Sequence, residues 1–274
     1  DAAVDFGSFS SAKGLTFAYG DMEAMDIEAP IVMMDPPDHT GLRKLAVKRF
    51  TPRQVQALEP LIRSFVVERI ERLREMGEGD IIEHLFKPLP SLVVADFLGV
   101  PQAERGRFDG WTDAIVAANS EGDILQAPSA VGELFAYFAG LIEERRKEPR
   151  DDMLSALVHG KLTGGEVPPA QILGFAFTMV TGGNDTMTGL LGGSAELLTR
   201  YPEQRQHLLK DPSLLPGAIE EFLRLTSPVQ GLARTLTCDV TLEGETLPAG
   251  RKVMLLYASA NRDEREFGPD AGVP

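Results

Sequence analysis

Apolar positions follow a helical period through most of the chain and switch to alternation only near its end. Residues 55, 58, 62, 65, 66, 70 and 73 are apolar. Steps of three and four put them on one face, which predicts a helix that Thr51-Pro52 starts and Gly77-Glu78-Gly79 stops. Pro90 to Leu98 reads as a buried helix halted by Gly99, and Glu104 to Ala118 and Pro128 to Lys147 as amphipathic helices. Asp152 to Val158 is a short helix, followed by a polar turn from Gly160 to Gly165. Pro168-Pro169 opens the longest predicted helix, running to about Thr199, and Pro202 to Leu209 and Pro216 to Leu225 follow. Upstream, Ile31-Val32-Met33-Met34 leads into Asp35-Pro36-Pro37, where the prolines hold the chain extended. Asp38 is placed to cap a helix reaching about Phe50. The stretch from Val4 to Glu28 is mixed and glycine-bearing and predicts loops. From Val229 onward the pattern alternates, and Val240 to Gly244 and Lys252 to Leu256 read as strands. The expected fold is mainly α with a small late sheet. No repeat, low-complexity segment or linker divides the chain, so residues 1–274 are expected to form one domain.

Composition narrows the function more than the fold. Hydrophobic residues make up 43% of the chain, ample for a core. One cysteine excludes a disulfide framework and suits a reducing compartment, so the expected location is cytoplasmic. No apolar run reaches the roughly 18 residues that a membrane helix needs, and no signal peptide is visible. A net charge of −14 disfavours nucleic acid as a partner. His84, His159 and His207 share no metal-ligand spacing, and there is no phosphate loop and no serine or cysteine triad signature.

The long predicted helix breaks its own rules at Thr181-Gly182-Gly183-Asn184-Asp185-Thr186. Each glycine costs about 1 kcal/mol relative to alanine, and an ionisable carboxylate follows among Phe175, Phe177, Met179, Val180, Leu190 and Leu191. Burying Asp185 without partners is costly, and local rule-breaking of this kind marks a candidate site. Glycines let a ligand approach the backbone closely, and a Thr186 hydroxyl turned back to the Gly182 carbonyl would loosen the helix. From these residues alone a kinked structural helix and a small polar groove in an apolar wall are equally open. The second pair, Gly192-Gly193, reads as a site of close helix packing.

Downstream, Glu221 and Arg224 lie three apart on one helix face, followed by Ser227-Pro228-Val229, Arg234 and Leu247-Pro248-Ala249-Gly250. This order resembles the cytochrome P450 superfamily, the haem-thiolate monooxygenases, over nearly the whole chain. Gly182 to Thr186 matches the family's Ala/Gly-Gly-x-Asp/Glu-Thr. Glu221 and Arg224 match its Glu-x-x-Arg, and Ala260-Asn261-Arg262-Asp263 its Ala-Asn-Arg-Asp. Asp35-Pro36-Pro37-Asp38-His39 with Arg43 matches its His-x-x-x-Arg after Asp-Pro-Pro. The resemblance implies a multi-helix fold with a small sheet and a haem cofactor. It implies insertion of one oxygen atom from O2 into an apolar small molecule, with electrons from a ferredoxin-type carrier and its reductase. It assigns Asp185 and Thr186 to proton delivery, and Gly182 and Gly183 to the haem face. His39, Arg43 and Arg234 are assigned to the propionates, which suit cationic forks. Glu221 with Arg224 becomes a structural pair, and Val180, Val229 and Leu232 line the substrate pocket.

One departure qualifies the match. The family's iron ligand is a cysteine in a Phe-Gly-x-Gly-x-x-x-Cys loop after the Ala-Asn-Arg-Asp segment, and no such loop occurs here. Cys238 sits in the alternating stretch Arg234 to Val240 and is expected to be a buried structural thiol. The chain opens on Asp1 rather than Met, and is therefore expected to be a fragment missing both ends. The alternative is a haem-free, non-catalytic fragment or binding relic of the same fold. A peroxide-using haem enzyme is a third reading, against which the Asp185-Thr186 pair argues. Finally, Arg43, Lys44, Lys48, Arg49 and Arg53 form a basic run in an acidic chain, either a solvated face or a dock for an acidic electron carrier. Gly41, within that helix, stands where relatives often carry Arg.

Overall fold

The computed structural model describes residues 2–17, 19, 29–120, 128–269 and 271–273. The predicted loops at residues 20–28 lie outside them. In chain order the elements are β1 (Phe9–Ser10), α1 (Asp38–Val47), α2 (Pro52–Ala57), α3 (Glu59–Met76), α4 (Pro88–Leu98), α5 (Arg105–Ser120), α6 (Pro128–Lys147) and α7 (Met153–Val158). Then come β2 (Lys161–Leu162), β3 (Gly165–Glu166), α8 (Pro169–Arg200), α9 (Pro202–Lys210) and α10 (Leu215–Thr226). The chain finishes with β4 (Leu232–Leu236), β5 (Val240–Leu242), β6 (Glu245–Leu247), β7 (Lys252–Leu255), α11 (Tyr257–Ala260) and α12 (Glu264–Phe267). The mainly helical class with a small sheet is as the periodicity predicts.

Local chemistry explains most boundaries. Thr51 caps α2 through its hydroxyl, which accepts from the Gln54 amide at 3.4 Å, with Pro52 as the first helical residue. The helix expected to run on from there instead breaks at Leu58. Pro60 occupies the first turn of α3, where its missing N–H costs nothing, but it cannot prolong α2. Asp38 does not cap α1 as expected: Pro37 holds the cap position and Asp38 is the first helical residue, where its charge still favours the helix dipole. Gly99, at φ 75°, ends α4 in the left-handed region that glycine adopts without penalty. The polar turn at 160–165 contains a short antiparallel hairpin, pairing Lys161 with Glu166 and Leu162 with Gly165.

The chain divides into two compact units, residues 20–184 and residues 1–19 with 185–274, the division falling inside α8. In the first, Leu98, Phe108, Ile115, Leu134, Phe138 and Leu154 have no exposed surface, and the Phe108 and Phe138 rings meet edge-on at 6.3 Å. Arg145, only 1% exposed, lies in the same interior. In the second unit β1, β4 and β7 form an antiparallel sheet with β4 in the middle. Phe9 pairs with Leu236, and Leu232 with Leu255. β5 and β6 form a separate hairpin whose turn, Glu243-Gly244, has φ 49° and 87°, the positive pair that a tight hairpin turn favours. Gly193 is there for packing: a Cβ would come 2.5 Å from Thr226 Cγ2.

Candidate functional site

The candidate residues of α8 lie on a helix that stays continuous from Pro169 to Arg200. Its polar side chains are folded back on its own backbone. Thr178 Oγ1 donates to the Gly174 carbonyl at 2.8 Å, Thr181 Oγ1 to Phe177 at 3.1 Å and Asn184 Nδ2 to Val180 at 2.6 Å. Such back-bonding lets short polar residues sit in an apolar helix without losing their partners. The two glycines serve different ends. A Cβ on Gly183 would fall 2.8 Å from Val94 Cγ2, so this glycine allows α8 to approach α4. A Cβ on Gly182 would meet no atom of the described residues within 4 Å, its own helix backbone aside. Thr186 stands one turn beyond Gly182, on the same face, and both it and Asp185 are half-buried. Of the expected pocket residues, Val229 is 37% exposed and Leu232 half-buried in β4, but Val180 is 0% exposed. With no surface to offer, Val180 belongs to the core of its unit rather than to a pocket wall.

The candidate propionate partners fall in both units. His39 is half-buried and Arg43 exposed, four apart on α1 in the first unit. Arg234 is half-buried in β4 of the second, donating to the carbonyl of Ala233 at 2.9 Å. Among the described residues none of the three forms an ion pair, although the chain holds 41 acidic and 27 basic residues. Two guanidiniums and an imidazole left without carboxylates in an acidic chain fit a group that brings its own. The open side of Gly182 is likewise a place where a flat group could lie against the helix backbone. Within the first unit, His39, Arg43 and Gly182 have the chemistry that the propionate edge and the face of a haem require; Arg234 of the second unit offers a further guanidinium of the same kind. Cys238 fits no such role. It is exposed in the bend after β4 rather than buried as expected, because β4 ends at Leu236 and the alternation beyond it is not strand.

Glu221 and Arg224 make a two-pronged pair: Arg224 Nε donates to Glu221 Oε2 at 2.8 Å and Nη2 to Oε1. This bonding holds the Glu221 carboxyl below the usual glutamate range. The third arm of Arg224 reaches further, Nη1 donating to the carbonyls of Asn261, at 2.7 Å, and Ala271. Asn261 Nδ2 in turn donates to Ser227 Oγ at 3.0 Å, and Arg262 Nη2 to the Leu225 carbonyl. Two motifs that the sequence shows 37 residues apart therefore form one structural knot around the end of α10. Its groups are occupied by one another, as a structural pair requires.

Sequence reasoning missed a comparable knot in the first unit. Arg145 Nε donates to Asp152 Oδ2 at 2.5 Å, and Nη2 to the Gly99 carbonyl at 2.9 Å. Asp152 also caps α7 through the Ser155 amide at 2.8 Å, and His159 Nε2 lies 2.8 Å from the Arg145 carbonyl. The one available signal was Gly99, where a Cβ would come 2.3 Å from Asp152 Oδ2. In the basic run, Arg49 is taken up by Asp151, whereas Lys44, Lys48 and Arg53 are exposed.

Comparisons with known proteins place nearly the whole described chain in one family. The sequence profile described as Cytochrome P450 matches residues 2–272. Cytochrome P450 130 of Mycobacterium tuberculosis (strain CDC 1551 / Oshkosh) is 59% identical over 275 residues, covering 98% of this chain and 68% of its own length. Steroid C26-monooxygenase of Mycolicibacterium smegmatis is 37% identical over 88% of this chain and 61% of its own. Among solved structures, Mycobacterium marinum cytochrome P450 CYP268A2 in complex with pseudoionone superposes with a TM-score of 0.86 at 34% identity, over 96% of this chain and 66% of that one.

Proposed function

The chain belongs to the cytochrome P450 family, the haem-dependent monooxygenases, and from that footing we propose that Asp185 and Thr186 deliver the protons of its reaction. When bound, haem supplies the activation of dioxygen that puts one oxygen atom into substrate and the other into water. The chain's share is to hold and move protons in an apolar setting. The Thr186 hydroxyl donates from its place one turn beyond the open side of Gly182, and the Asp185 carboxylate restores that proton from solvent. The observation that carries this reading is the pairing of an unobstructed Gly182 with half-buried Asp185 and Thr186 on the same helix. His39, Arg43 and Arg234 take the propionates, and Gly182 the haem face. Gly183 lies beside it but is engaged with Val94.

The substrate is an apolar small molecule, met in part by Val229 and Leu232. The relatives named for a steroid and seen with pseudoionone support an apolar class. Electrons come from an acidic ferredoxin and its reductase, docking on the basic run of α1 and its continuation, and the protein works in the cytoplasm. No helix among the described residues is long and apolar enough to cross a membrane. The haem-free relic is the less supported reading, since 59% identity to Cytochrome P450 130 extends over 98% of the chain.

Thr186→Ala in the full-length protein tests the reading. General acid catalysis is worth roughly 100-fold to 10,000-fold, so product per reductant consumed should fall by about tenfold or more. Hydrogen peroxide release should rise, and substrate binding should hold. An unchanged ratio of product to reductant would remove Thr186 from the proton path.

A further inference from the structure

Three lysines line one groove of the first unit. Lys44 and Lys48 come from α1 and its end, and Lys161 from β2 of the hairpin. The groove has a volume of about 870 Å³, and Thr40, Leu162 and Thr163 are among its other lining residues. All three lysines are exposed, and none forms an ion pair among the described residues. Glu166 lies opposite Lys161 in the hairpin register without pairing to it. The hairpin reaches the groove through Gly41, where a Cβ would stand 3.2 Å from Leu162 Cδ2. The bare backbone at 41 lets Leu162 rest on α1 and sets Lys161 beside the α1 lysines.

Like charges facing one groove repel one another, and here they do so in a chain of net charge −14. The arrangement is favourable when an anionic surface fills it. Its shape selects among anions. A small phosphate ligand calls for an enclosed site with a few buried, converging polar groups. This groove is open, and its cations are solvated and spread over two separate elements. That spread matches the scattered carboxylates of an acidic protein surface.

We propose that the hairpin β2–β3 is the second wall of the electron-carrier dock and that Lys161 is its charge contact. The proposal rests on the reading that α1 receives an acidic carrier, and it adds an element to which nothing above gave a function. In such an encounter the carrier would give up one electron, which the bound haem would accept, and no proton or group would cross the interface.

The test uses the full-length, haem-loaded protein and an acidic [2Fe–2S] ferredoxin, with association rates followed by surface plasmon resonance across a salt series. Lys161→Glu should slow association several-fold at low salt and flatten the salt dependence. Lys161→Gln should do so less, and Lys161→Arg should leave both at wild-type values. Carbodiimide should cross-link Lys161 to a ferredoxin carboxylate, found by peptide mass spectrometry. If Lys44→Glu and Lys48→Glu slow association while Lys161→Glu does not, the hairpin is excluded and the α1 dock stands. If all three leave rate and slope unchanged, the dock falls with it. If tripolyphosphate binds the wild type but not Lys161→Glu, with ferredoxin association unaltered, the groove is a small-anion site and the proposal is wrong.

Discussion

Arg145 in the first unit and Arg224 in the second serve one purpose by different routes. Each binds a carboxylate and at least one backbone carbonyl from a distant segment, and each ties a helix to chain remote in sequence. Arg224 finds its carboxylate three residues away on its own helix, with side-chain exposures of 12% and 35% for the pair. Arg145 finds Asp152 across the loop to the next helix and Gly99 46 residues back, with exposures of 1% and 7% for the ion pair. The contrast separates visibility from energy. A pair set by helix periodicity can be read from spacing, whereas one assembled by tertiary folding cannot, and here it is the unreadable one that is fully buried.

That ordering predicts unequal losses. Arg145→Ala would leave Asp152 buried without its cation and the Gly99 carbonyl without its donor. Breaking a buried pair by removing one partner costs about 3–5 kcal/mol. For a protein of this size each kilocalorie moves the melting temperature by roughly 2–4 °C, so the first thermal transition should fall by about 10 °C. Calorimetry of the purified variant checks it. A loss under about 1 kcal/mol would mean that the carboxylate re-solvates and that burial was no guide.

Arg224→Ala should cost less, about 1–3 kcal/mol, because Glu221 is exposed enough to regain water. Its effect should be local: the segment from Asn261 to Ala271 loses its anchor and becomes open to proteolysis before the rest of the chain. The pair also carries a pH signature. Bonding to Arg224 lowers the folded-state Glu221 pKa below its ordinary 4.5. The carboxylate therefore contributes stability that is fully present above the unfolded value and is lost as pH falls through the folded one. Acid unfolding of the wild type and of Glu221→Gln should diverge above pH 4.5 and converge in more acidic solution. Parallel curves would show that the pair has no net worth.

The same rule decides what else was legible. Helix existence followed from periodicity nearly throughout, and Thr51-Pro52, Gly77 and Gly99 marked ends because each has a local mechanism. The break at Leu58 was hidden because the apolar face of α2 and α3 runs on past Pro60. The hairpin at 161–166 was hidden because strands of two residues have no periodicity to show. β1 escaped for the same reason: Phe9 and Ser10 are strand only because β4 lies beside them. Cys238 was misjudged because alternation continued beyond the pairing that gives it meaning. Within α8, the motif marked a turn with two glycines, but the division of labour between them depends on Val94, on a helix about 90 residues earlier in the chain.

That division yields the smallest and most discriminating expectation. Gly182 and Gly183 are neighbours in one helix, so alanine at either gains the same propensity, about 1 kcal/mol. At 183 the new methyl would press on Val94 Cγ2 from 2.8 Å, and overpacking of this kind costs about 1–3 kcal/mol, so Gly183→Ala should be neutral to destabilising. At 182 nothing opposes the methyl, and Gly182→Ala should stabilise the haem-free protein by up to about 1 kcal/mol. Haem affinity should move the opposite way. The methyl at 182 would project into the space assigned to the haem face, so haem should be held more weakly by Gly182→Ala than by Gly183→Ala. Denaturant unfolding of the haem-free variants, set beside haem titration of each, reads both effects. If Gly182→Ala gains stability and binds haem as tightly as the wild type, its open side faces solvent alone, and only Gly183 of the pair has a role, in helix packing as Gly193 does.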